Sequence, residues 1–139
     1  MTDAIEAHLT SARAASRQVR PGDARNAYAR AAALSRESGA PLLQAHALRH
    51  LSDLDRKADH LEQALAHAEQ AVALCASNGQ GTSPEMANAL QLKALALDAL
   101  RRVAPAREAW TTAHQLYTAA GDAAEAEACR ARLRAGDAG

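Results

Sequence analysis

Residues 24–34 read ARNAYARAAAL, and a glycine follows at Gly39. The same skeleton returns from Ala64 as ALAHAEQAVAL, closing at Gly79, and from Ala106 as AREAWTTAHQL, closing at Gly121. All three share Ala-x3-Tyr/Ala/Trp-x2-Ala-x2-Leu-x4-Gly without a gap. Offsets of zero, four, seven and ten fall on one face of a helix. Alanine at the first and third places lets a neighbouring backbone come close. Tyr28 and Trp110 fill the space between layers, and Ala68 leaves the middle copy thinner there. The glycine ends each helix, because it takes the left-handed conformation at no steric cost. The copies stand 40 and then 42 residues apart. Such a recurrence is the signature of a stacked helical array.

Each of these helices needs a partner. Residues 45–57, AHALRHLSDLDRK, put Ala47, Leu48, Leu51 and Leu54 on one stripe. Residues 87–100, ANALQLKALALDAL, do the same with Leu90, Ala94 and Leu97. Near the N-terminus, Ile5–Val19 carries a sparser stripe of Ile5, Leu9, Ala12 and Ala15 or Ser16. Punctuation supports these elements. Ser83-Pro84-Glu85 reads as cap, first-turn proline and first-turn acid. Asp59 with Glu62, and Asp122 with Glu125, have the form of capping boxes. Pro21-Gly22-Asp23, and Pro41 after Gly39, mark two further junctions. The pattern predicts three helical hairpins over residues 5–39, 41–79 and 84–121. A seventh helix is predicted over 123–134, acidic early at Glu125 and Glu127, basic late at Arg130, Arg132 and Arg134, which complements the helix dipole. Its polar side suits a cap over an otherwise exposed apolar layer.

Composition agrees. A chain of 139 residues, with alanine above a quarter and no phenylalanine, favours closely packed helices over strands. The length is that of a single domain spanning 1–139. Sixteen basic residues balance sixteen acidic ones, so no global field points to nucleic acid or membrane. Cys75 and Cys129 belong to no CxxC pair and read as reduced, small apolar side chains. No stretch has the length of a membrane span or the form of a signal peptide, so the expected compartment is the cytoplasm. Lysine occurs only at Lys57 and Lys93 among many arginines, which suggests GC-rich, bacterial coding.

The paired helices and the Ala-x3-aromatic-x2-Ala second helices resemble tetratricopeptide repeat (TPR) proteins. The family's first-helix pattern is matched loosely as Leu48-x2-Leu51-Ser52-x2-Asp55, Leu90-x2-Lys93-Ala94-x2-Leu97 and His8-x2-Ser11-Ala12-x2-Ala15. The closing proline of the family is missing, and the period exceeds its usual value of about 34 residues. The resemblance implies an all-α, right-handed solenoid of three TPR-like hairpins plus the capping helix. It also implies a concave groove, lined by the first helices, that holds a peptide or helix of a protein partner. In that register the middle hairpin contributes His46, Arg49, Asp53, Arg56 and Lys57. The third contributes Asn88, Gln91, Leu95 and Asp98, and the first Glu6, Leu9, Arg13 and Arg17. The known clamp of chaperone-tail-binding TPRs uses a Lys and an Asn where this chain has Leu9 and Arg13, so that specificity is not expected.

The middle rung is mostly basic, and Arg13 and Arg17 extend that character. Arginine gives carboxylates two parallel hydrogen bonds, so an acidic segment is the partner chemistry expected. Asp53 stands four residues from Arg49 and Lys57 and three from Arg56, so the middle charges can also satisfy each other. Arg13 and Arg17 have no acid at such spacing. An alternative role is self-association, with a second copy as the partner. His46 and His50, at i and i+4, can face one metal ion, but no spacing specifies a third ligand. No nucleophile elbow or phosphate loop is present; SNGQGTSPE, at residues 77–85, reads as a connector. The expectation is a non-catalytic protein without cofactor or metal.

Overall fold

The computed structural model describes residues 2–17 and 20–138. Among them the chain forms seven α-helices and no strand. They are α1 (Thr2–Arg17), α2 (Pro21–Glu37), α3 (Pro41–Lys57), α4 (Leu61–Ser77), α5 (Pro84–Ala99), α6 (Val103–Ala119) and α7 (Ala123–Ala138). Each helix packs on its chain neighbours, and α3 also touches α5. This is the helical-repeat arrangement that the recurring skeleton predicts. The N-terminal helix is regular over its described length, and its expected end at Val19 lies outside the described residues. The last helix runs four residues beyond Arg134.

Repeated connections space the helices. Gly39, Gly79 and Gly121 have φ of 68°, 76° and 79°. After α2, the Ala40 N–H reaches the Ser35 carbonyl at 2.8 Å and the Gly39 N–H that of Arg36 at 3.3 Å, a Schellman closure. The same closure ends α3 and α5, where the left-handed residue is Asp59 (φ 64°) or Arg101 (φ 60°). This corrects the capping box read at Asp59. With only three residues between α3 and α4, Asp59 is taken up by closing α3. His60 becomes the N-cap without a side-chain cap bond, and Glu62 instead pairs with Arg102. The other two caps form. Ser83 Oγ accepts from the Met86 N–H at 3.1 Å, and Asp122 Oδ1 accepts from the Glu125 N–H at 3.1 Å.

Burial follows the skeleton. Tyr28, Ala68 and Trp110 are all enclosed, as are Ala64 and Ala71. The leucines at offset ten, Leu34, Leu74 and Leu116, are only half-buried. The next residue in each copy, Ser35, Cys75 or Tyr117, is buried instead. Small side chains in the first helices bring backbones into contact: buried Ser52 Oγ donates to the Ala64 carbonyl at 2.7 Å, joining α3 to α4. Buried Asp55 links three helices. Its carboxylate accepts from Arg25 Nε of α2 and from His67 Nδ1 of α4, each at 2.8 Å.

Candidate functional site

A cleft of about 940 Å³ opens between α1 and the C-terminal half of α3. Arg13 and Arg17 line it from α1, Arg20 from the following junction, and His50, Asp53, Leu54 and Lys57 from α3. Tyr28 of α2 forms part of its floor. The helical period places these residues together: Arg13 and Arg17 are one turn apart on α1, as are Asp53 and Lys57 on α3, with His50 another turn back.

The middle rung is partly self-satisfied: its charges pair with one another, but the buried Nε atoms of Arg49 and Arg56 have no hydrogen-bond partner among the described residues. Asp53 bonds Arg56 at 2.7 Å and Lys57 at 2.9 Å, and these two cations hold its carboxyl below the usual range against the opposing effect of burial. Arg49 Nη2 meets His46 Nδ1 at 3.3 Å. The His50 ring lies parallel to Tyr28, with centroids 4.5 Å apart and planes at 3°, and His46 packs edge-on to His50 at 4.7 Å. Burial, followed by neighbouring His46 and Arg49, pushes the His50 pKa down to about 4, so the ring is neutral at pH 7. Burial likewise lowers that of His46. No group of three or more His, Cys, Asp or Glu side chains suited to a metal gathers among the described residues.

The charge on α1 is different. Among the described residues, neither Arg13 nor Arg17 has an ion-pair or hydrogen-bond partner. Arg20 forms only an exposed contact with Asp23 at 3.3 Å. Thus, among the described cations that line the cleft, Arg13 and Arg17 are the ones without an acidic partner, with Lys57 and its shared Asp53 across the cleft.

The remaining residues read as groove-lining are placed otherwise. Leu9 is a core residue, 6% exposed, and this corrects its assignment to the groove: it stands in the register of Arg49 and Gln91 but turns into the contact with the neighbouring helices. Asn88 Oδ1 accepts from the Tyr117 hydroxyl at 2.5 Å, and Gln91 Nε2 donates to Glu125 at 2.9 Å. Leu95 is half-buried against the core. Asp98 Oδ2 accepts from the Trp110 indole N–H at 2.8 Å and lies 3.9 Å from Arg132, whose guanidinium also sits over the Trp110 ring at 5.5 Å. The polar face of α5 therefore fastens α6 and α7. Glu6 is exposed on α1. Tyr28, read from sequence only as a space-filler, also floors the cleft. Its spacing to Gly39 announced burial but not which side its hydroxyl meets.

Cys75 and Cys129 are both buried free thiols, and burial raises both pKa values, that of Cys129 to about 11. No helix among the described residues is long and apolar enough to cross a membrane.

No family model matches the chain, and no curated protein matches it. The fold is similar to the crystal structure of BtubC (BKLC) from P. vanneervenii, with a TM-score of 0.69 at 18% identity over 96% of this chain. The chain spans 63% of the length of that protein. The likeness is one of helical fold.

Proposed function

We propose that this chain is a TPR-like, non-catalytic interaction module that docks an acidic segment of a protein partner in the cleft between α1 and α3. The TPR assignment is supported by the threefold skeleton, by the spacing of 40 and 42 residues and by the fold shared with BtubC. The observation that carries the functional reading is the contrast between two sets of cations. Arg56 and Lys57 are held by Asp53, whereas Arg13 and Arg17 face the cleft without a carboxylate. Unpaired arginines with free guanidinium forks favour carboxylate ligands. The volume, about 940 Å³, is at the upper end of sites that enclose a compact ligand and suits a short segment of chain. A soluble setting in the cytoplasm of a bacterium remains part of this proposal.

The test is to capture a partner from the native host and titrate it against three proteins at low and physiological salt. The Arg13→Ala/Arg17→Ala pair should lose most of the affinity and most of its salt dependence. The Arg49→Ala/Arg56→Ala pair should lose less, because these side chains already serve His46 and Asp53. Equal affinity of all three, without salt dependence, would reject the basic cleft. A mass that doubles with concentration in sedimentation, together with that result, would establish self-association in its place.

A further inference from the structure

The three equivalent positions Tyr28, Ala68 and Trp110 differ in one respect. The Trp110 indole N–H is satisfied by the Asp98 carboxylate, which Arg132 also approaches. Ala68 has no polar atom to satisfy. Tyr28 has one, and among the described residues it has no partner. Tyr28 is only 2% exposed, yet its hydroxyl is not among the enclosed polar atoms, so the little of it that meets the cleft includes the oxygen. A phenol hydroxyl at the wall of the cleft, without a protein hydrogen-bond partner, is a donor open to a ligand that enters the cleft. Arg13 lines the same cleft, and its charge is felt at Tyr28 and at His50.

The third hairpin shows how such a place is filled: a carboxylate accepts from the ring's polar atom beside an arginine. In the first hairpin the register position of Asp98 is held by Ser16, which also lines the cleft and carries a hydroxyl in place of a carboxylate. We propose that the Tyr28 hydroxyl and the Arg13 guanidinium form an oxyanion subsite that takes one side-chain carboxylate of the partner's acidic segment. His50 is a positioning residue, since its stacked ring fixes the plane of the phenol. Burial raises the Tyr28 pKa, so the phenol is protonated and is a donor at neutral pH. The hydrogen bond runs from a neutral donor to an ionised acceptor, and such bonds are among the stronger ones in proteins.

This inference rests on the docking reading above, and the experiment separates the two. Fluorescein-labelled hexaglutamate, with its C-terminus amidated, is titrated by anisotropy against wild type, Tyr28→Phe, Ser16→Asp and Arg13→Ala/Arg17→Ala. Tyr28→Phe should melt like wild type, because the hydroxyl has no partner to lose, and should bind roughly tenfold or more weakly. Ser16→Asp should supply the missing carboxylate from within, melt higher and also bind more weakly. If Tyr28→Phe and Ser16→Asp bind like wild type while the arginine pair does not, the subsite is overturned and the docking reading stands. If wild type itself does not bind, both fall. A hexaglutamine peptide with a free C-terminus is the second probe. Its binding in place of hexaglutamate would move the ligand to a terminal carboxylate and overturn the side-chain assignment.

Discussion

Replacing Asp55 with alanine should cost about 2–4 kcal/mol of folding stability. The figure follows from what each partner loses. Asp55 is fully buried and lies 2.8 Å from both Arg25 Nε and His67 Nδ1. The His67 side chain is 23% exposed, so its N–H would be left largely without an acceptor, at about 1–3 kcal/mol. The Arg25 side chain is 40% exposed and can turn to water, so its share is at most about 1 kcal/mol. The vacated volume adds a smaller packing loss. Because the three residues sit on α2, α3 and α4, the loss should loosen the junction between the first two hairpins. Denaturant unfolding gives the total, and a double-mutant cycle with His67→Ala gives the coupling, expected at about 1 kcal/mol or more. A total below about 0.5 kcal/mol, or strictly additive single effects, would refute the view that this network staples the hairpins.

Three further outcomes follow from the packing and the turns. Ala71 is fully enclosed where α4 meets its neighbours, so Ala71→Leu should overpack the site and lower stability by roughly 1–3 kcal/mol in urea unfolding. Arg101 closes α5 at φ 60°, so Arg101→Gly should raise stability by about 0.5–1 kcal/mol in the same assay, net of the extra freedom glycine gives the unfolded chain. The folded-state pKa of His50 lies near 4, below the ordinary histidine value of 6.5, so the unfolded chain binds the extra proton first as pH falls. Stability is then full above pH 6.5 and is lost as pH drops toward 4, by at most about 3 kcal/mol from this ring. Thermal melts across that range should show the slope. His50→Gln should flatten it in part, leaving the smaller share of His46 among the surrounding Arg13, Arg49 and Asp53.

The second helices were legible from sequence because their packing demands particular residue types. Alanine is needed where backbones touch, an aromatic where layers part, and glycine where φ is positive. The buried position one residue past each leucine leaves no mark in the sequence, because Ser35, Cys75 and Tyr117 share no chemistry and burial alone unites them. The role of Asp59 is ambiguous in the sequence, because an Asp two residues after a helix and just before another serves equally as cap or as left-handed closing residue. The short connection decides for the second. The cleft was legible only in part. Local spacing exposed the pairing of Asp53 with Arg56 and Lys57, since those partners are one turn away. The partners of Asn88, Gln91, Asp98 and Asp55 lie 12 or more residues off, in neighbouring helices. No helical period records contacts of that kind. The unpaired state of Arg13 and Arg17 was visible for the same reason in reverse: no acid stands three or four residues from either.

The most direct measurement is amide NMR mapping of the protein as hexaglutamate, or the acidic segment of a captured partner, is added. If the cleft is the docking site, the shifts concentrate on α1 around Arg13 and Arg17, at Tyr28, and along α3 from His50 to Lys57. They should vanish with Arg13→Ala/Arg17→Ala. Shifts spread over the outward faces of α4 and α6, or persisting unchanged in that variant, would contradict the account.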